Sequence, residues 1–179
     1  MKHIRQDINE CLLASVAMLT DEPREKIWKF ADELARGREF HDYQDMMRRG
    51  RENILTQNKI LQRFLGLQVV EHEKEDMHIG ASPDENLDLS GTGFMAVYFE
   101  NGEGHALAYE SGLVHDPNLQ GPVSWHEWLT VHAPAHYFAP PRAVELYPVK
   151  PVEVKSSKKN RAKRPNKILL DKGVSSVIR

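Results

Sequence analysis

The single thiol of the chain is Cys11, in the stretch QDINECLLASVAML. A lone cysteine closes no internal disulfide, which leaves it two uses: a small apolar core residue, or a nucleophile. Leu12, Val16 and Leu19 recur at helical spacing behind Asp7 and Asn9, two residues able to cap a helix, so Cys11 falls in a first turn. There the unpaired backbone N–H groups and the positive end of the helix dipole favour a thiolate. Gln6, five residues upstream, can turn its side-chain amide toward a carbonyl under attack by Cys11 and donate to the oxyanion.

A thiol nucleophile needs a base, and the base needs an orienting group. His105 opens HALAYE, where small and apolar neighbours suit a half-buried imidazole on a strand. Ser111-Gly112 separates that run from LVHDP. As a two-residue hairpin loop it pairs Glu110 with Leu113 and sets Asp116 opposite Leu107. His105, two residues from Leu107, then projects on the same face as Asp116, a diagonal neighbour at about 7 Å between Cα atoms. His115 points to the opposite face. Alone, His105 reads as a core histidine and Asp116-Pro117 as the start of a turn. With Cys11 they form a Cys-His-Asp set in which the carboxylate fixes the imidazole tautomer and supports its charged form.

QDINECLLASVAML resembles the opening of the papain-like cysteine peptidases related to the bacteriocin (double-glycine leader) processing domains, in which a Gln precedes a D/E-C pair that begins the first helix. HALAYESGLVHDP is similar to the second half of that family, a His on one strand and an Asp-Pro on the next, and GPVSWHEWL to its closing helix. The likeness covers most of residues 4–130. It implies a papain-like fold with Cys11 as nucleophile, His105 as general base and acid, Asp116 as orienting carboxylate and Gln6 as oxyanion donor. The implied substrate is a peptide or protein amide, and the chemistry needs no cofactor. Leu12 stands where the family usually has Gly, and the gap from Gln6 to Cys11 is one residue short. Leu12 is therefore also the hint for a second class of function, a peptidase-fold binding module without turnover that contacts polyanions through a basic tail.

The elements that must position these residues follow from patterning. The chain has 179 residues, 40% apolar, with three Trp and six Phe, enough for one domain with a substantial core and a remainder. After the first helix, Pro23 and the stripe Ile27, Phe30, Ala31 and Leu34 predict a second, with Asp21 able to cap it and Gly37 to stop it. Residues 37–52 read as a loop or a short exposed helix. Thr56 opens a third helix ending at Gly66, LQVVE follows as a strand, and 72–91 form a long connection. GFMAVYFE, HALAYE and LVHDP predict an antiparallel meander, SWHE at 124–127 a capping box, and HYFA a last strand. Helices first and antiparallel strands second make an α+β arrangement, N-terminal helices packed on a C-terminal sheet.

Charge divides the chain. Residues 1–149 hold 24 acidic against 14 basic side chains, net -10, and residues 150–179 hold 2 against 10, net +8. A peptidase domain over 1–148 and a basic, disordered tail over 149–179 are predicted, the tail making nonspecific contacts with nucleic acid or acidic protein. The tail has no aromatic residue to stack on bases. The longest apolar stretch, Cys11 to Leu19, is less than half a bilayer span, and Asp7 and Glu10 ahead of it argue against a signal peptide. No membrane association and a cytoplasmic location are expected, in keeping with one unpaired cysteine. His126, His132 and His136 with Glu127 are the best case for zinc, but HEWLTVH lacks the H-E-x-x-H spacing, so no metal is expected.

Overall fold

A computed structural model of the protein describes residues 1–6, 10–20, 22–49, 54–67, 82–83, 86–137 and 139–149. The expected caps Asp7, Asn9 and Asp21, the predicted strand residues 68–71, most of the long connection and the basic tail beyond Val149 lie outside the described residues.

The first helix, α1, runs Cys11–Leu19, and every residue from Leu12 to Met18 is buried. A helix apolar on all sides belongs at the centre of a fold, and this one packs against two other helices and two strands of the sheet. α2 (Arg24–Arg36) turns Ile27, Ala31 and Ala35 inward at helical spacing, and it begins after Pro23 and ends at Gly37 as its sequence predicts. α4 (Ile54–Leu65) begins two residues before the expected Thr56 and stops at Gly66, whose φ of 67° suits a residue without Cβ.

The stretch read as a loop or exposed helix contains α3 (Tyr43–Arg48), capped by Asp42, whose carboxylate accepts from Asp45 N at 2.7 Å. It is short as expected but not exposed, since Tyr43 and Met46 are buried in the helical core. One and a half turns offer only two inward positions, too few to stand out among charged neighbours.

Five antiparallel strands follow: β1 (Thr92–Phe99), β2 (Gly104–Glu110), β3 (Leu113–His115), β4 (Val123–Ser124) and β5 (Pro141–Pro148), in the order β4-β3-β2-β1-β5. Ser111 and Gly112 have φ of 53° and 85°, the two left-handed positions of a primed hairpin turn. They produce the predicted register: Glu110 opposite Leu113, Tyr109 opposite Val114, Ala108 opposite His115.

The last strand is not HYFA. Tyr137 follows a helical segment and lies outside the sheet, and the final strand is β5, paired along β1 from Gly93–Pro148 to Phe99–Pro141. Its prolines imitate a linker in the sequence. They stand at the two ends of an edge strand, where a missing N–H costs no ladder bond.

Alternating residues bury the sheet on both faces. Phe94 and Ala106 join the core of α1–α4, while Met95, Val97, Leu107 and Val114 pack on the other side with Trp128 and Ala133. Trp128 belongs to a helical stretch made of α5 (Trp125–Glu127), a π-helical turn (Trp128–His132) and α6 (Ala133–His136). The predicted capping box starts it, Ser124 Oγ accepting from Glu127 N at 3.1 Å. The architecture is α+β, with N-terminal helices against an antiparallel sheet. Among the described residues no helix is long and apolar enough to cross a membrane.

Candidate active site

Two anchors set the start of α1. Glu10 precedes Cys11 and is only 4% exposed; its carboxylate accepts from Gln44 Nε2 at 2.7 Å and from Arg24 Nη2 at 3.3 Å, which ties the end of α1 to α2 and α3. Ser15, buried one turn after Cys11, donates from Oγ to the carbonyl of Ala106 at 2.9 Å. Residues i and i+4 share a helix face, and Ala106 adjoins His105, so the bond that fastens α1 to β2 also carries the Cys11 thiol to the imidazole. The two side chains line one pocket, and Cys11 is among the groups that raise the pKa of the His105 ring. Cys11 stays partly exposed, as a nucleophile must.

His105 Nε2 lies 3.0 Å from Asp116 Oδ1, which leaves Nδ1 for Cys11. Asp116 is fully buried and satisfied by three donors, because Oδ1 also accepts from Asn118 N at 2.8 Å and Oδ2 accepts from Trp128 Nε1 at 2.7 Å. Burial works against its charge, but the bond to His105, with those from Trp128 and the Asn118 backbone, outweighs it and holds the carboxyl below the ordinary range. Burial also opposes a charge on His105, yet the hydrogen bond to Asp116, followed by that to Cys11, pushes its pKa up to about 9. The pair holds its proton on the imidazole.

A pocket of about 240 Å³ opens beside Cys11 and His105. Tyr43, Met47, Leu61 and Phe94 give it apolar walls, Gln57 supplies one amide, and Leu12 lines it next to the thiol. The site thus joins a cysteine sulfur, an imidazole that favours its charged form and a recess with apolar walls, a combination suited to attack on a carbonyl.

Cys11, His105 and Asp116 are therefore together. Gln6 is placed differently: its backbone N–H donates to Pro117 O at 3.2 Å and its Nε2 to Asn118 Oδ1 at 2.5 Å, and it is not among the residues lining the pocket. His115 faces away, as its register demands, with its ring 6.2 Å from that of His3. Of the histidines weighed for zinc, His132 lies 3.6 Å from Glu127, and no group of three or more possible metal ligands occurs among the described residues.

Three participants escape the sequence reading. Trp128 reads as an apolar helix residue, and nothing in its spacing announces the bond to Asp116. Tyr137, read as a strand residue, packs its ring 5.0 Å from His105 and 4.3 Å from Phe99. Asn118 had a local signal: an Asp with a backbone donor two residues on is a recurrent turn. No family model, no curated protein and no solved structure matches the chain, so the site rests on its geometry alone.

Proposed function

We propose that the protein is a cysteine peptidase, or a related thiol acyl-transfer hydrolase, of papain-like fold and chemistry. The observation that carries this reading is the convergence of Cys11, at the N-terminal end of a central helix, with the buried His105–Asp116 pair beside a pocket. In the proposed cycle the proton on His105 is the one Cys11 has given up, and the Cys11 sulfur attacks the substrate carbonyl, whose electron pair moves to oxygen. The Cys11 backbone N–H, in the first turn of α1, and the Gln6 amide donate to that oxyanion. As the tetrahedral species collapses the C–N bond breaks, and His105 delivers the proton to the departing nitrogen. Water, deprotonated by His105, then attacks the thioester and releases the acid and the thiolate. Asp116 holds the imidazole throughout, and the apolar pocket favours substrates with an apolar side chain near the scissile bond.

The test is direct. The full chain is treated with 4-nitrophenyl acetate and Cys11 is examined by peptide mass spectrometry, while denatured casein is searched for new termini after incubation. An acetyl group on Cys11, lost in Cys11→Ala and His105→Ala, and new casein termini mark a peptidase. Acetylation without casein cleavage would point to a hydrolase of smaller amides or esters, and a Cys11 that takes no acetyl group would end the acyl-transfer reading.

A further inference from the structure

Asn118 stands where two halves of the site meet. Its backbone N–H serves the acid, donating to Asp116 Oδ1 at 2.8 Å. Its side chain serves a different group: Oδ1 accepts from Gln6 Nε2 at 2.5 Å, and Nδ2 donates to the Tyr137 hydroxyl at 3.0 Å. Tyr137 is held by stacking on Phe99 and by contact with the rings of His105 and Trp128. The hydrogen-bonded chain thus has a packed aromatic at one end. At the other is a long side chain on the N-terminal segment 1–6, which has no helix or strand of its own.

The other atom of the Gln6 amide, Oε1, is buried and has no hydrogen-bond partner among the described residues. Buried polar atoms are rarely left so, and this one is a single residue, Asn118, removed from the Asp116 carboxylate. Turning the Gln6 and Asn118 amides over together keeps the same three residues linked, with Tyr137 then donating, and sets the Gln6 NH2 group at the unsatisfied position. That is the arrangement an oxyanion donor needs: one face clamped by the protein and the other free until charge develops.

We propose that Asn118 is a positioning residue that holds the Gln6 amide as oxyanion donor for Cys11, with Tyr137 setting the orientation of the Asn118 amide. The proposal rests on the acyl-transfer reading above. It separates two roles within one residue, since the backbone N–H orients Asp116 while the side chain orients Gln6. Truncating the side chain leaves the first role in place.

Two reactions of Cys11 in the full chain distinguish the roles. Acylation by 4-nitrophenyl acetate passes through an oxyanion, whereas alkylation by iodoacetamide displaces iodide without one. Asn118→Ala and Gln6→Ala should each slow acylation by about 10²-fold, the loss typical of one oxyanion donor. The double variant should be no slower than the worse single one, the sign that both act through one contact. Alkylation should change less than about twofold in all three, as for substitutions that leave the thiol and its base alone. Tyr137→Phe keeps the ring contacts and removes only the hydroxyl; it should slow acylation by about 5-fold and spare alkylation, and it carries the test with Gln6→Ala if Asn118→Ala does not fold.

Alkylation slowed in parallel with acylation would place the effect on the Cys11–His105 pair and overturn the proposal, as would losses that multiply in the double variant. Unaltered acylation in Asn118→Ala, with the unsubstituted chain active, would overturn it alone. Absence of acylation in the unsubstituted chain would overturn the acyl-transfer reading and this proposal with it.

Discussion

His105 and His115 lie on neighbouring strands, each 5% exposed, and they meet opposite fields. Burial pushes both toward the neutral form. For His105 the Asp116 carboxylate at 3.0 Å and the Cys11 thiol reverse that push, and the imidazole is favoured in its charged form. For His115 burial is reinforced by His3, 6.2 Å away ring to ring, and by the amino terminus, with only Glu110 acting the other way, so its pKa is lowered. Both His3 Nδ1 and His115 Nδ1 are buried without hydrogen-bond partners among the described residues. Burial alone therefore does not decide which form a histidine takes. The companion does, and the companion is decided by one step of strand parity: adjacent residues His115 and Asp116 leave the backbone on opposite faces, and only the second meets His105.

The comparison breaks most sharply by deletion. His105→Ala should slow acylation of Cys11 by about 10³-fold or more, as removal of a general base does, while His115→Phe should alter it by less than about threefold. Stopped-flow release of 4-nitrophenolate reads both, and equal losses would remove the distinction between the two histidines. Asp116→Asn comes next. It keeps the shape but removes the charge that fixes the imidazole tautomer, and acylation should fall by about 10²- to 10⁴-fold. Urea unfolding should show a loss of about 3 kcal/mol in the same variant, because a buried charge loses its partner. Acylation within a factor of about three of the unsubstituted chain would mean that Asp116 orients nothing.

How far this contrast can be read from residues alone differs from place to place. The hairpin is legible because Ser111-Gly112 permits a turn of two residues and no more, and that single constraint sets the register and the parity of His105, His115 and Asp116. The first helix is legible because its apolar run is long. β5 is not, since Pro141 and Pro148 bracket it and its partner β1 is far away in sequence. Trp128, Tyr137 and Asn118 are not legible as members of the site either. Trp128 reaches Asp116 only because the helical stretch covers the second face of the sheet, and Tyr137 meets His105 only because that stretch ends there. Gln6 is legible as an amide near the cysteine, but its hydrogen-bond partner comes from a turn more than a hundred residues later.

The two histidines also divide the pH range. His105 has a folded pKa raised from 6.5 to about 9, so its contribution to stability is complete below 6.5 and is lost as pH rises through about 9. Asp116, with a lowered pKa, contributes above 3.8 and loses that contribution as pH falls further. His115 has a lowered pKa, so the unfolded chain binds its proton more readily, and stability drains away as pH falls from 6.5. Urea midpoints across pH should therefore peak near 6.5 and fall between about 6.5 and 9. Asp116→Asn should erase the alkaline fall and leave the weakening that begins near 6.5, which belongs to His115.

His115→Leu should do the converse, and its effect is the smallest of the series. It places an apolar side chain beside His3 and removes a group whose charged form the fold disfavours, so the alkaline limb stays while the loss below pH 6.5 shrinks. The segment released in the unsubstituted chain should be the N-terminal one, whose His3 Nε2 bonds Leu119 O at 2.9 Å and whose Gln6 touches Asn118. Amide exchange of residues 2–6 followed at pH 5 and pH 8 reads this step. Protection that is lower at pH 5 than at pH 8, after division by the intrinsic exchange rates, and that is restored in His115→Leu ties it to repulsion between the two rings, and a loss of protection that persists in that variant would take the acid loss away from His115.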